Sequence, residues 1–295
     1  MRWLLNALVV LAVLGALLWW LSAPQPLPDS HFEGLTGDAG NGELVFWAAG
    51  CASCHSAEGA RGDDRLVLAG GRRFESDFGT FVAPNISTDE AQGIGGWTLA
   101  EFGNAMLRGV SPSGEHYYPS FPYTAYIRMT LEDLADLKAY LETLPASSRA
   151  NEPHELGFPF TVRRGLGFWK RLYLDEDWVV AGELTEQQVR GRYLSEALAH
   201  CGECHTPRDA LGGMETSRWL AGAPNPSGRG SIPDITPGGL TWSERDIAGY
   251  LASGFTPTFD TAGGTMAAVV DALARLPSED HAAIAAYLQA VPASE

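Results

Sequence analysis

The sequence predicts an all-α protein in which one membrane-spanning helix precedes two tandem copies of a single helical unit. Three observations predict it: an apolar run at the N-terminus, self-similarity of the remaining chain at an offset of about 150 residues, and apolar residues at helical spacing. Strand-like alternation is absent over any useful length. The chain has 295 residues, 20 basic and 36 acidic, for a net charge of −16. Charged residues at 19% and hydrophobic ones at 45% exclude wholesale disorder. The acidity excludes nucleic acid as a partner, since phosphate neutralisation needs a basic surface. Lys138 and Lys170 are the only lysines.

The N-terminal element comes first. From Trp3 to Leu21 every residue but Asn6 and Gly15 is distinctly apolar, and 19 residues approach the hydrocarbon thickness of about 30 Å at about 1.5 Å each. Trp3 and the pair Trp19–Trp20 mark the two interfaces. Arg2 precedes the span and no Lys or Arg follows until Arg61, which places the N-terminus in the cytoplasm and the body outside. A cleaved export signal is the rival reading. Cutting after Ala23 would leave Leu21 at the −3 position and Pro24 just past the cut, so an uncleaved anchor is expected. Either way the body is exported. Ala23 to Pro28 reads as a short, stiff polyproline-like spacer. Beyond residue 28 the net charge is −17.

The four cysteines form two identical patterns, Cys51-Ala-Ser-Cys54-His55 and Cys201-Gly-Glu-Cys204-His205. C-x-x-C-H is the attachment pattern of c-type haem: two thiols form thioethers with the vinyl groups, and the adjacent histidine is the proximal iron ligand. A thioredoxin-like pair needs no histidine, and two plain disulfides explain none. A zinc site fits poorly with motifs 150 residues apart. The expected cofactors are therefore two covalent haem c groups, on Cys51, Cys54, Cys201 and Cys204, with His55 and His205 on the irons.

The repeat follows these motifs. Pro84-Asn-Ile86 pairs with Pro233-Asp-Ile235, Trp97 and Thr98 with Trp242 and Ser243, and Asp133, Tyr140 and Pro145 with Asp280, Tyr287 and Pro292. Thr98 with Glu101 has the form of a capping box, and Ser243 with Asp246 looks like a second capped start. Thr130 begins a helix with Leu134, Leu137 and Leu141 on one face, and Ser278 begins its counterpart. Further helices are expected over 42–49 and 186–199, each leading into a cysteine motif. The divisions are 1–28 for anchor and spacer, 29–150 for the first unit, 151–183 for a packed linker, and 184–295 for the second unit.

A six-coordinate haem needs a second axial ligand, commonly Met or His. Met1 is cytoplasmic, Met106 lies on an apolar helix face, and Met214 is only nine residues past His205. That leaves Met129 and Met266, each in a loop before a final capped helix. They are not equivalent under the repeat: Met266 corresponds to Pro119, and Met129 to Leu276. At the first iron, His116 or an open position is the alternative to Met129. His31, His154, His200 and His281 are expected to be solvated or structural.

Several motifs resemble those of di-haem c-type cytochromes similar to the cytochrome subunits of bacterial membrane-bound alcohol, gluconate and related dehydrogenases. They are Pro84-Asn-Ile-Ser-Thr, Gly93-Ile-Gly-Gly-Trp97, Tyr117-Tyr-Pro-Ser-Phe-Pro-Tyr123, Arg128-Met-Thr-Leu-Glu-Asp133, Arg190-Gly-Arg-Tyr-Leu, His200-Cys-Gly-Glu-Cys-His-Thr-Pro-Arg208, Gly264-Thr-Met266 and Ala285-Ala-Tyr-Leu288. The resemblance spans residues 38–295. It implies two tandem class I cytochrome c-like domains, His–Met ligation and periplasmic electron transfer at a bacterial inner membrane. Relatives often carry methionine where this chain has Phe121, and others use the one matching Met129. The dehydrogenase subunits usually carry three haem motifs, whereas this chain has two.

The expected function is that of an electron carrier between a dehydrogenase or quinol-oxidising complex and a downstream acceptor, an oxidase or soluble cytochrome, and not of an enzyme. The negative charge predicts partners with basic docking surfaces. The alternatives are a peroxidase-like di-haem enzyme, which needs an open iron, and a subunit active only within a dehydrogenase complex. A cysteine-ligated sulfur oxidase would need a fifth cysteine.

Overall fold

The computed structural model describes residues 2–225 and 230–294. Its helices are α1 (Arg2–Leu21), α2 (Ala39–Ala48), α3 (Cys51–His55), α4 (Leu99–Arg108), α5 (Tyr123–Tyr126), α6 (Leu131–Leu141), α7 (Leu166–Tyr173), α8 (Glu186–Arg192), α9 (Gly202–His205), α10 (Glu244–Ser253), α11 (Gly264–Leu273) and α12 (Ser278–Ala290). A π-helical turn, Tyr193–Leu198, prolongs α8 toward the second cysteine motif.

α1 has a mean hydropathy of 2.4 over its most apolar window, and none of its residues is buried in the protein. It is long and apolar enough to cross a bilayer. The spacer after it is held, which its composition did not reveal: Asn104 Oδ1 accepts from the Leu27 N–H at 2.6 Å, and Asn104 Nδ2 donates to the Leu27 carbonyl at 3.1 Å. The next aromatic, Phe32, is buried against Gly103 of α4.

In each half the helix leading to the cysteine motif crosses the final helix at close range. A Cβ on Gly42 would lie 1.9 Å from the Asp136 carbonyl oxygen and 2.8 Å from Tyr140 Cβ. A Cβ on Gly191 would lie 1.9 Å from the Ala283 carbonyl oxygen and 2.7 Å from Tyr287 Cβ. Glycine lets the backbones of α2 and α6, and of α8 and α12, approach this closely. The polar ties beside the crossings differ. Asp136 accepts from the Asp38 N–H at 2.6 Å and Asn41 Nδ2 at 2.7 Å, whereas Asp280 takes a bidentate Arg190 fork with both distances 2.8 Å.

The caps follow the sequence closely. Thr98 with Glu101 and Ser243 with Asp246 both form complete capping boxes, and Thr130 Oγ1 accepts from the Asp133 N–H at 3.1 Å. The final helix of the second half differs: Pro277 precedes it, Ser278 is its first residue, and no side chain caps it. A few short strands accompany the helices of this all-α protein. β1 (Arg73–Ser76), β2 (Gly79–Val82) and the two-residue β3 (Glu155–Leu156) form an antiparallel sheet, and β4 (Ala223–Pro224) pairs with β5 (Ser231–Ile232). Strands of two to four residues are too short for alternation to register.

Residues 151–183 make buried polar contacts with both flanking segments. Lys170 Nζ donates to the Arg108 and Gly109 carbonyls at the end of α4, at 2.6 and 2.7 Å. Downstream, the buried Glu196 carboxylate accepts from the Val179 and Val180 N–H groups at 2.7 and 3.1 Å and from Tyr287 Oη at 2.6 Å. Glu196→Gln puts an amide NH2 where only acceptors fit. It is expected to cost about 2 kcal/mol and lower the thermal midpoint by about 5 °C, read from the haem absorbance during heating.

Candidate functional site

Each cysteine motif is a short helical turn that follows a longer helix. Gly50, at φ +65°, breaks the chain between α2 and α3. The second motif is reached through the π turn and His200, at φ +41°. One helical turn brings both thiols and the imidazole to one side, which is the requirement for gripping a single macrocycle.

The loop after each motif repeats bond for bond. His55 Nδ1–H donates to the Pro84 carbonyl at 2.8 Å, and His205 Nδ1–H to the Pro233 carbonyl at 2.8 Å. Gly70 N–H donates to the His55 carbonyl and Gly222 N–H to the His205 carbonyl, both at 2.8 Å. Ile86 reaches back to Leu68 and Ile235 to Leu220, both at 3.0 Å. Gly70 and Gly222 sit at φ +67° and +80°, in left-handed backbone that disfavours other residues. A carbonyl only accepts, so these bonds fix the proton on Nδ1 and leave Nε2 with its lone pair for a metal. Burial lowers both histidine pKa values, which keeps the rings neutral as ligation requires.

The thiols do not resemble a redox pair. Burial, and then its motif partner, pushes Cys51 up to about 12, and the same two causes push Cys201 up to about 12. A catalytic dithiol needs a lowered pKa. Among the described residues no three His, Cys, Asp or Glu side chains converge as a metal-binding group. Two thiols and one neutral imidazole per site fit covalent haem, whose iron takes its equatorial ligands from the porphyrin.

The expected methionines lie in the same continuous apolar cluster as Cys51 and Cys201. Met129 is buried one residue before the Thr130 cap of α6, and its N–H donates to the Tyr126 carbonyl at 2.8 Å. Its repeat counterpart, Leu276, is buried too. Met266 is not in a loop as expected but in the first turn of α11. It falls at helical spacing with Val270 and Leu273, both buried. The opposite face of α11 and the turn after it touch the first half: Ser53 Oγ donates to the Ala268 carbonyl at 3.4 Å, Asp271 pairs with Arg65, and Arg275, two residues past the helix, lies 4.0 Å over the Trp47 ring. Phe121 packs among Tyr117, Tyr123 and Tyr126.

The histidines outside the motifs are engaged elsewhere. His116 Nε2–H donates to the Ser22 carbonyl at 2.9 Å, and His281 Nε2–H to Leu273 at 2.7 Å. His154 Nδ1 accepts from the Val82 N–H at 3.1 Å.

Tyr126 bridges the residues that lead into the two motifs. Tyr126 donates to the Ala49 carbonyl at 3.0 Å and packs edge-on against His200 with ring centroids 5.7 Å apart. Thr124 Oγ1 donates to Glu203 Oε1, inside the second motif, at 2.7 Å. Sequence reasoning paired Pro84 with Pro233 by offset but missed their role as carbonyl acceptors. It missed Tyr126 and Glu203 because contacts between the halves leave no trace in spacing.

Residues 39–145 match the cytochrome c family model. A di-haem cytochrome c-type protein of Cereibacter sphaeroides is 57% identical over 294 residues, covering 100% of this chain and 99% of that protein. The chain belongs to the di-haem c-type cytochromes. The fructose dehydrogenase cytochrome subunit of Gluconobacter japonicus is 39% identical over 85% of this cytochrome. The gluconate 2-dehydrogenase cytochrome c subunit of Pantoea cypripedii is 31% identical over 86%. This cytochrome covers 52% and 59% of those two subunits, about half the length of each. It carries two covalently bound haem c groups and serves as an electron carrier. One N-terminal membrane-spanning helix holds it, with the haem-bearing body outside the membrane on the periplasmic side.

Proposed function

We propose that the cytochrome is a two-haem relay which accepts electrons from a membrane dehydrogenase or quinol-oxidising complex and delivers them to a periplasmic acceptor. The single observation that carries the relay is Tyr126, which bonds the Ala49 carbonyl two residues before the first motif and packs on His200, one residue before the second. When bound, haem supplies the reversible one-electron iron couple. The chain's own part is to hold the group and set its ligand field. On this reading residues 29–150 and 184–295 are two cytochrome c-like domains joined by the packed linker 151–183. Cys51 and Cys54 would attach the first haem, with His55 and Met129 to hold its iron. Cys201 and Cys204 would attach the second, with His205 and Met266. Supporting the Met266 assignment, its helix face is shared with Val270 and Leu273 and is turned from the first half.

Partnership with a dehydrogenase is supported by the relatives named above, which are dehydrogenase subunits. The net charge of −17 beyond the anchor favours donors or acceptors with basic docking surfaces. Copurification from native membranes is expected to yield a dehydrogenase or quinol-oxidising complex. The reduction rate by that complex is expected to fall as ionic strength rises past the point where the screening length is about 8 Å. A salt-independent rate would contradict the docking charge, and failure of any such complex to reduce the cytochrome would contradict the placement.

A further inference from the structure

The membrane helix is not joined to the body by a loose tether. The last carbonyls of α1 are claimed by the linker: Arg164 Nη2 donates to Trp19 at 2.7 Å and Arg171 Nε to Leu21 at 2.8 Å, while His116 holds Ser22. The Arg164 guanidinium lies 4.1 Å over the Trp19 ring. Gly167 backs so closely on Ser22 that a Cβ there would be 2.3 Å from its carbonyl oxygen. The body is therefore fixed against α1 at the level of Trp19 and Trp20, where aromatic side chains mark the headgroups.

Next to this joint the body presents apolar side chains to solvent. Phe168 lies between Arg164 and Arg171 on α7, four residues after one and three before the other, so it shares the stripe that touches α1. It is 38% exposed, and Leu172, one turn on, is 67% exposed. Phe158 is 85% exposed, with Phe160 and Val162 also exposed. Phe160 is tied back by Tyr118 Oη, which donates to its carbonyl at 2.8 Å, and Arg163 lies over that tyrosine and donates to the His116 carbonyl. Exposed Leu211 joins the same face through its carbonyl, which accepts from Trp169 Nε1 at 3.0 Å.

The charge of this segment is opposite to that of the protein. Residues 156–174 contain Arg163, Arg164, Lys170 and Arg171 and no acid, in a chain of net −16. Glu155 and the run Asp175-Glu176-Asp177 bound it in sequence, and Asp209 is hydrogen-bonded to its Tyr173 at 2.6 Å. Arginine beside exposed aromatic and aliphatic side chains is the composition of a bilayer-interface surface.

We propose that this face is a second membrane contact, in which Phe158, Phe160, Val162, Phe168 and Leu172 seat in the headgroup–acyl boundary around α1. Arg163, Arg164 and Arg171 lie against lipid phosphate. The occupant is lipid because the face continues the surface of α1 itself and is held rigidly to its exit. The seat fixes the height and tilt of both haem motifs above the bilayer, so a partner meets a presented face instead of a swinging one. The inference rests on α1 spanning the membrane.

The test uses the intact holoprotein alone in nanodiscs of phosphatidylethanolamine and phosphatidylglycerol doped with a diazirine phospholipid. Lipid adducts are mapped by mass spectrometry after photolysis. Adducts are expected on α1 and on peptides spanning 158–172, and none on Phe259, which is 87% exposed but lies in the second half. The triple variant Phe158→Ser, Phe168→Ser, Leu172→Ser is expected to lose the linker adducts and keep those on α1. Adducts on α1 with 158–172 as unlabelled as Phe259 would overturn the seat. Protection of 158–172 only when a dehydrogenase is added would overturn it in favour of a protein partner. Absence of adducts on α1 would overturn the anchor and the seat together.

Discussion

Replacing Met266 by alanine leaves both haems covalently attached and removes the methionine-ligated, low-spin signal from one of them, half of the total. Attachment depends on Cys51, Cys54, Cys201 and Cys204, which the substitution does not touch. The thioether is a soft ligand that favours ferrous iron, so the affected haem also falls in potential while the other keeps its own. Met266 occupies the first turn of α11 on the face shared with Val270 and Leu273, and Asp271 and Arg275 hold the far face of that helix and the turn after it to the first half. The helix therefore stays in place when the side chain is shortened. Met129→Ala is expected to act in the same way on the other haem. Magnetic circular dichroism of the oxidised protein with a redox titration checks both. An unchanged spectrum in either variant would contradict that methionine's assignment and give the corresponding iron another ligand.

Gly42→Ala and Gly191→Ala are expected to destabilise their own halves by about 3 kcal/mol or more each. The new Cβ would stand 1.9 Å from a backbone carbonyl oxygen in both cases, and backbone cannot swing aside as a long side chain can. The paired helices must separate, which strips contacts from Tyr140 or Tyr287 and from the buried leucines around them. In Gly191→Ala the Tyr287 bond to Glu196 is strained as well. Thermal unfolding followed at the haem absorbance should show a midpoint lowered by about 6 °C or more, with the other half less affected. A midpoint shift within about 1 °C for both variants would contradict the close crossing.

Much of this architecture was legible in the sequence because its signals are local. Cys51 to His55 and Cys201 to His205 are contiguous, Thr98 with Glu101 completes a cap within four residues, and α1 is one uninterrupted apolar run. The constant offset extended this to the paired loops, so that Pro84 and Pro233 were matched before their carbonyls were seen to hold the two histidines. Features that depend on distant partners were not legible. Asn104 gripping Leu27, and Arg164 and Arg171 capping α1, join residues 77 to 150 positions apart. The short strands carry no periodicity. Met266, expected in a loop before the final helix, instead belongs to α11, whose N-cap position is Gly263. The bond from His116 to the Ser22 carbonyl, 94 positions away, is likewise invisible in the sequence.

The central claim is that two attached haems pass electrons between them inside one chain. Rapid photoreduction of the oxidised protein in nanodiscs, at less than one electron per molecule, tests it most directly, with the two haems resolved by their spectra. A first-order equilibration between the haems, independent of protein concentration, is expected, both irons being low-spin before and after. Equilibration that slows in proportion to dilution, or a resting high-spin iron that reacts with peroxide, would contradict it.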